Sequence, residues 1–190
     1  MRQTRKQKPM AIAVIHTPHI EGTIEVVNCM YGVTLKAHFT KLPPGKHGFH
    51  IHKAGDLRGE GCQGLCEHYD VGHHSHGSFL SKEKHTGDLG NIEIKPGKKH
   101  FKHTYCIKNT SVQNLWGRSI IVHEDEDDLG RGEFEDSATT GHSGKRMGCA
   151  IFGRGQTRKA GSPFRPLSGY SSGHNRRNGH TRRNQRTSKK

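Results

Sequence analysis

The sequence predicts an all-β sandwich or barrel with two long functional loops and basic, disordered ends. Three observations carry this. Short runs of alternating apolar and polar residues recur, as in half-buried strands. Only 29% of the chain is apolar and 25 of its 190 residues are glycine, with no convincing amphipathic helix. Two histidine-bounded stretches, 53–84 and 124–146, carry no strand pattern. Structureless loops of that length inside a compact domain point to function.

The elements follow in order. Residues 11–15 are a candidate first strand. Ile24 and Val26 mark a second, ended by a hairpin turn near 28–32. Val33, Leu35, Ala37 and Phe39 alternate with Thr34, Lys36, His38 and Thr40, a clear third. His50-Ile51-His52 has strand spacing, which sets both imidazoles on one side. Phe101, Tyr105 and Ile107 alternate with polar residues, 119–122 is β-rich, and 149–152 is a candidate last strand.

The net positive charge is confined to the ends. Residues 1–10 hold four Lys/Arg, and 154–190 hold 11 with no acid. The middle, 11–153, therefore has 31 − 15 = 16 Lys/Arg against all 17 Asp/Glu, a net of −1. The overall +14 is thus no evidence for a nucleic-acid-binding domain in the body of the chain. With only Ala160, Phe164, Leu167 and Tyr170 as apolar residues, the tail cannot offset the entropy of ordering, and we expect it to be disordered. The first nine residues are expected to be the same. The expected organisation is a basic segment over 1–10, one domain over 11–153 and a basic tail over 154–190. No run approaches the roughly 18 apolar residues of a membrane span. The apolar run at 10–15 is shorter than the roughly 7–15 residues of a secretory signal. A cytoplasmic protein is the expectation, with its five cysteines (29, 62, 66, 106, 149) reduced by default.

The chemistry lies in the histidines. His50 and His52 can face one metal, although among 17 histidines such pairs also arise by chance, as at His74 and His76. His68, His76, His85 and Asp88 supply three imidazoles and a carboxylate, a donor set for tetrahedral zinc. By spacing alone, His73 or His74 could replace His76. A structural zinc would order the loop without a core. His123 closes a β-rich run and precedes an acidic segment, which is either a solvated loop or a source of partners for metal-bound imidazoles. Arg146 is either a surface cation or a small-anion docking group.

HGFHIHKAGD (47–56), HTGDLGN (85–91), HEDEDDLG (123–130) and GHSGKRMGCAIFG (141–153) resemble, in order and interval, the copper-zinc superoxide dismutases. The resemblance covers roughly 11–153. It implies an eight-stranded Greek-key β-barrel, usually a homodimer, that converts superoxide to dioxygen and hydrogen peroxide. Copper would be held by His50, His52, His68 and His123, and zinc by His68, His76, His85 and Asp88. His68 would then bridge the metals, and the resemblance favours His76 over His73 and His74. Asp127 would link His50 to His76, Cys62 and Cys149 would form a disulfide, and Arg146 would sit over the copper and dock superoxide.

This sequence departs from that family at several positions. Thr139 stands where many members have lysine, which weakens the expected anion steering unless Lys145 compensates. His142 replaces an asparagine. Ala54 replaces an aromatic near the dimer contact. Cys66 is extra and expected as a free thiol, and Cys29 and Cys106 as packed or free thiols. Two other readings compete. One is a zinc-dependent nucleic-acid binder built on Cys62, Cys66 and His68, with residues 154–190 contacting nucleic acid or an acidic partner; the tail could equally be a solvated appendage. The other is an inactive copper-binding relative, which the complete ligand set disfavours.

Overall fold

The computed structural model describes residues 9–98 and 100–155. Among these residues nine strands form two antiparallel sheets: β1 (Ala11–His16), β2 (Glu21–Cys29), β3 (Gly32–Lys41), β4 (Gly45–His52), β5 (Asp88–Ile94), β6 (Phe101–Lys108), β7 (Ser119–His123), β8 (Arg146–Ile151) and β9 (Gly153–Arg154). The first sheet has the order β6-β3-β2-β1-β9 and the second β5-β4-β7-β8. Because β6 returns beside β3 and β7 beside β4, the connections are of Greek-key type.

The alternation read in the sequence sets the core. Val33, Leu35, Ala37 and Phe39 point inward from β3, opposite Ile24 and Val26 of β2. Phe49, Ile51, Ile92, Ile120 and Val122 face them from the second sheet. Phe39 and Phe49 meet edge-on across the layers, 5.7 Å between ring centroids, a favoured aromatic geometry. β4 and β7 are buried on both faces: every residue from His47 to His52, and all of β7, is buried. One face fills the core, while the other lies beneath the loops and carries the histidines.

Some elements differ from the sequence expectation. β5 was not foreseen, because its opening residues, Asp88-Leu89-Gly90-Asn91, lack alternation and Gly90 takes a positive φ of 75°. Two one-turn helices, α1 (Val112–Leu115) and α2 (Ser137–Thr140), are too short to show a 3.6-residue period. β8 starts three residues before the expected 149. The chain then breaks at Phe152, whose N–H donates to Arg118 O, and Arg154 pairs with Ala11 in β9 although it was expected to begin the tail. The expected disorder of 1–9 and 154–190, and the partner expected for that tail, fall almost wholly outside the described residues.

Candidate metal centre

The centre is built on the outward face of β4 and β7. His50 and His52 project from β4, and His123 ends β7, whose register sets His50 opposite Ile121 and His52 opposite Ser119. The loop after β4 is stitched back onto that strand. Tyr69 N donates to Ile51 O at 2.7 Å, Lys53 N donates to Glu67 O at 3.0 Å, and His52 and His68 form an isolated bridge. This delivers His68 beside His50, with ring centroids 4.1 Å apart.

Ring nitrogens of His50, His52, His68 and His123 come within 4.8 Å of one another; ligand atoms of His68, His76, His85 and Asp88 do the same. His68 belongs to both groups. All these side chains are buried except His85, which is partly so.

The hydrogen bonds settle which nitrogen of each imidazole is left over. His52 Nδ1 donates to Cys66 O at 2.9 Å and His123 Nδ1 to Gly144 O at 3.3 Å. His50 Nε2 donates to Asp127 Oδ2 at 2.9 Å. Buried and without a partner among the described residues are His50 Nδ1, His52 Nε2, His68 Nε2 and His123 Nε2. Four orphaned imidazole nitrogens turned to one spot would be a severe desolvation defect unless a cation met them. In the second group, Nδ1 of His68, His76 and His85 lie 2.8, 3.0 and 3.3 Å from the same oxygen, Asp88 Oδ1. Asp88 Oδ2 is held by the N–H groups of Gly77 and His85, at 3.1 and 2.8 Å, so Oδ1 is aimed at the imidazoles. The donor set fits zinc in the second group and an imidazole-binding redox metal such as copper in the first.

Asp127 joins the two groups from behind. Its Oδ1 accepts from His76 Nε2 at 2.7 Å while Oδ2 holds His50. It is buried, and Asn91 fixes its backbone: Asp127 N donates to Asn91 Oδ1 and Asn91 Nδ2 to Asp127 O, both at 2.8 Å. Burial works against the Asp127 charge, but the His50 and His76 hydrogen bonds prevail and hold its carboxyl well below the usual range. Asp88 is depressed in the same way by His68, His76 and His85. Burial drives His52, His68 and His123 down, His68 to about 3 and His123 to about 2, with the neighbouring His50 adding to all three. His76 goes the other way. Burial lowers it, but Asp127 and Asp88 outweigh that and lift it to about 9.

Arg146, at the start of β8, donates through Nη1 to Cys62 O at 2.8 Å and through Nη2 to Cys66 O at 2.7 Å. Cys62 is bonded to Cys149. The guanidinium lines a cleft of about 1000 Å³ together with His52, His68 and His123. Lys53, Thr139, Thr140 and His142 also line it, whereas Lys145 does not. The side chains read from the sequence as candidate ligands therefore gather in these two clusters, and His73 and His74 lie on the cleft wall outside both. Cys29, Cys66 and Cys106 are free and exposed.

Two supporting residues escaped the sequence reading. Asn91 lies inside a quoted motif, but nothing in the sequence ties it to position 127. His47 is buried, with Nδ1 3.1 Å from His123 O and 3.0 Å from Glu124 O, and Nε2 3.2 Å from Pro43 O. It braces the chain just after the β7 histidine, and its only sequence signal was its place at the head of the first motif.

The fold and site define a β-sandwich protein with two adjoining donor sets that share one imidazole. The family model for copper/zinc superoxide dismutase matches residues 20–152. A superoxide dismutase [Cu-Zn] of Paramecium bursaria Chlorella virus 1 is 44% identical over 150 residues, covering 77% of this chain and 79% of its own. Superoxide dismutase [Cu-Zn] 5 of Dictyostelium discoideum is 41% identical, covering 74% and 95%. An extracellular superoxide dismutase [Cu-Zn] of Haemonchus contortus is 41% identical, covering 70% and 73%. The crystal structure of the clock protein EA4 superposes with a TM-score of 0.69 at 32% identity, covering 80% of this chain and 99% of that one. The chain belongs to the copper/zinc superoxide dismutase family.

Proposed function

We propose that this protein dismutes superoxide to dioxygen and hydrogen peroxide. The observation that carries the proposal is the sharing of His68 between two buried donor sets, one of them with four unpartnered imidazole nitrogens. His50, His52, His68 and His123 would hold copper; His68, His76, His85 and Asp88 would hold zinc. Copper supplies a one-electron couple, and zinc supplies fixed geometry and charge.

The chain's own residues do the rest. Arg146 docks the superoxide anion by charge-assisted hydrogen bonds, its other N–H groups being held by the Cys62 and Cys66 carbonyls. His68 Nε2 is the atom that takes up and returns a proton as product leaves, while Nδ1 stays with the Asp88 group. Asp127 fixes the tautomers of His50 and His76. We assign this activity to residues 11–153, with 1–10 and 154–190 as basic appendages. We further propose a homodimer located in the cytoplasm. Three free, exposed thiols suit a reducing compartment, although some relatives are named extracellular.

The test is superoxide removal by protein with copper and zinc occupancy confirmed. Activity well above that of free copper, lost in His123→Ala, is expected; activity no greater than free copper would refute the proposal. Sedimentation and cell fractionation test the dimer and the location.

A further inference from the structure

We propose that the rim of the cleft above the first donor set is a capture path for ionic copper, with His74 and His142 as its handholds. This rests on the assignment of that set to copper and goes beyond it, because neither imidazole belongs to either group of ligands. Both line the cleft. His52, His68 and His123 line it too, and their Nε2 atoms are buried and unpartnered among the described residues. Buried on their other sides, these nitrogens are reached from solvent through the cleft.

Each handhold is built like a metal ligand. His142 Nδ1 donates to Asp136 Oδ1 at 2.7 Å, and His74 Nδ1 lies 3.2 Å from Asp70 Oδ1. A carboxylate behind an imidazole fixes its tautomer and strengthens it as a ligand. Asp127 gives His50 and His76 the same support. In both rim residues the nitrogen left over is Nε2. The supporting carboxylates are themselves held. Asp70 accepts from the N–H groups of His74 and Thr86 at 2.7 and 3.1 Å, and Asp136 from the Thr140 hydroxyl at 3.0 Å. Phe134 fixes the plane of His142, with ring centroids 3.6 Å apart and planes 7° from parallel.

Charge favours a cation at this rim. The cleft is lined by two fixed cations, Lys53 and Arg146, against four carboxylates, those of Glu67, Asp70, Asp125 and Asp136. Lys53 is paired with Glu67 at 3.2 Å, and Arg146 donates to the Cys62, Gln63 and Cys66 carbonyls. The carboxylates least offset are Asp125, which is exposed, and Asp136, which is half exposed. A cleft lined by one sign of charge raises the on-rate of the opposite ion. Among divalent first-row ions, imidazole nitrogens hold Cu(II) most tightly. No third group of ligand atoms converges at the rim among the described residues. The handholds are thus single imidazoles, weak enough to pass an ion inward. Copper bound beneath them offsets the negative excess, which leaves Arg146 to dock an anion once loading is complete.

The test is stopped-flow uptake of Cu(II), supplied as its glycine complex, by the zinc-loaded full-length chain. Cys29→Ser/Cys66→Ser/Cys106→Ser is the common background, so that no exposed thiol competes for copper. The visible absorption of bound Cu(II) is the readout, independent of superoxide removal. His74→Gln/His142→Asn should slow uptake about tenfold, the lower end of what focusing in a charged cleft adds to an on-rate. Release to a chelator should slow by the same factor, because a path serves both directions. Copper affinity and zinc content should be unchanged, since no ligand of either set is touched. Asp125→Asn/Asp136→Asn should also slow uptake and flatten its dependence on salt. His38→Asn/His103→Asn, which removes two imidazoles of β3 and β6 outside the cleft, should leave the rate alone. An unchanged rate in His74→Gln/His142→Asn would overturn the proposal. So would slowing that comes with lost copper affinity or lost zinc, or equal slowing in the β3 and β6 variant. A background chain that takes up no copper would instead refute the copper assignment itself, and the rim with it.

Discussion

His76 donates from Nε2 to Oδ1 of Asp127 at 2.7 Å, and this bond turns its Nδ1 toward Asp88. An imidazole presents the correct nitrogen to a metal only if something holds the other one. Asp127→Ala should therefore weaken zinc binding about 10–100-fold, the range for loss of such a partner. Competition with a chromophoric chelator measures it. Because His50 loses the same support, copper affinity should fall too; unchanged affinity for both metals would show that Asp127 is a bystander.

Gly141 lies against that bond. It has a positive φ of 69°, and a Cβ placed there would strike both Asp127 Oδ1 and His76 Nε2. Gly141→Ala should therefore reproduce much of the Asp127→Ala defect in zinc binding. It should also destabilise the protein by about 1 kcal/mol or more, from the strained backbone alone. Thermal melts with and without zinc separate the two effects.

The Cys62–Cys149 bond closes a loop of 87 residues. By the chain-entropy relation its loss should cost about 4–5 kcal/mol of stability. Reduction should also lower activity before the protein unfolds, because Cys62 O is an acceptor for Arg146. Denaturant titrations and assays of a Cys62→Ala/Cys149→Ala variant check both outcomes.

Arg146→Ala should reduce kcat/KM about 10–100-fold with metal content unchanged, since a charge-assisted hydrogen bond contributes about 1.5–3 kcal/mol. Arg146→Lys should recover only part of this, because an ammonium cannot reach the Cys62 and Cys66 carbonyls and an anion together. Metal analysis alongside the rates distinguishes loss of docking from loss of copper.

The two donor sets should differ in how protons compete with metal. In the metal-free protein His76 is raised from 6.5 to about 9. Its contribution to folding stability is thus fully present below pH 6.5 and lost as pH rises through 9. Zinc must displace that proton, so zinc affinity should rise about tenfold per pH unit between 6.5 and 9. Burial holds His68 near 3 and His123 near 2, already neutral throughout this window. Added to the zinc-free protein, copper should therefore release no proton from them; with both metals bound, His68 should give up its one ring proton, because each of its nitrogens then faces a metal. Calorimetry in buffers of different ionisation enthalpy reads both values.

The sequence by itself determined the all-β class, because alternation such as Val33 to Phe39 is a local property of a strand with one buried face. It also supplied the ligand types and, through family resemblance, their pairing. The competition of His73 and His74 with His76 could not be resolved from spacing, because the 53–84 loop has no period. The family resemblance chose His76, and only the tertiary structure showed why, by bringing His76 N onto Ala138 O at 2.8 Å and its ring onto Asp127, 51 residues away. The same holds for Asn91 and His47. Each depends on which strands lie side by side, and that is set by burial of the two sheets against each other, a non-local free energy that no short window of sequence contains.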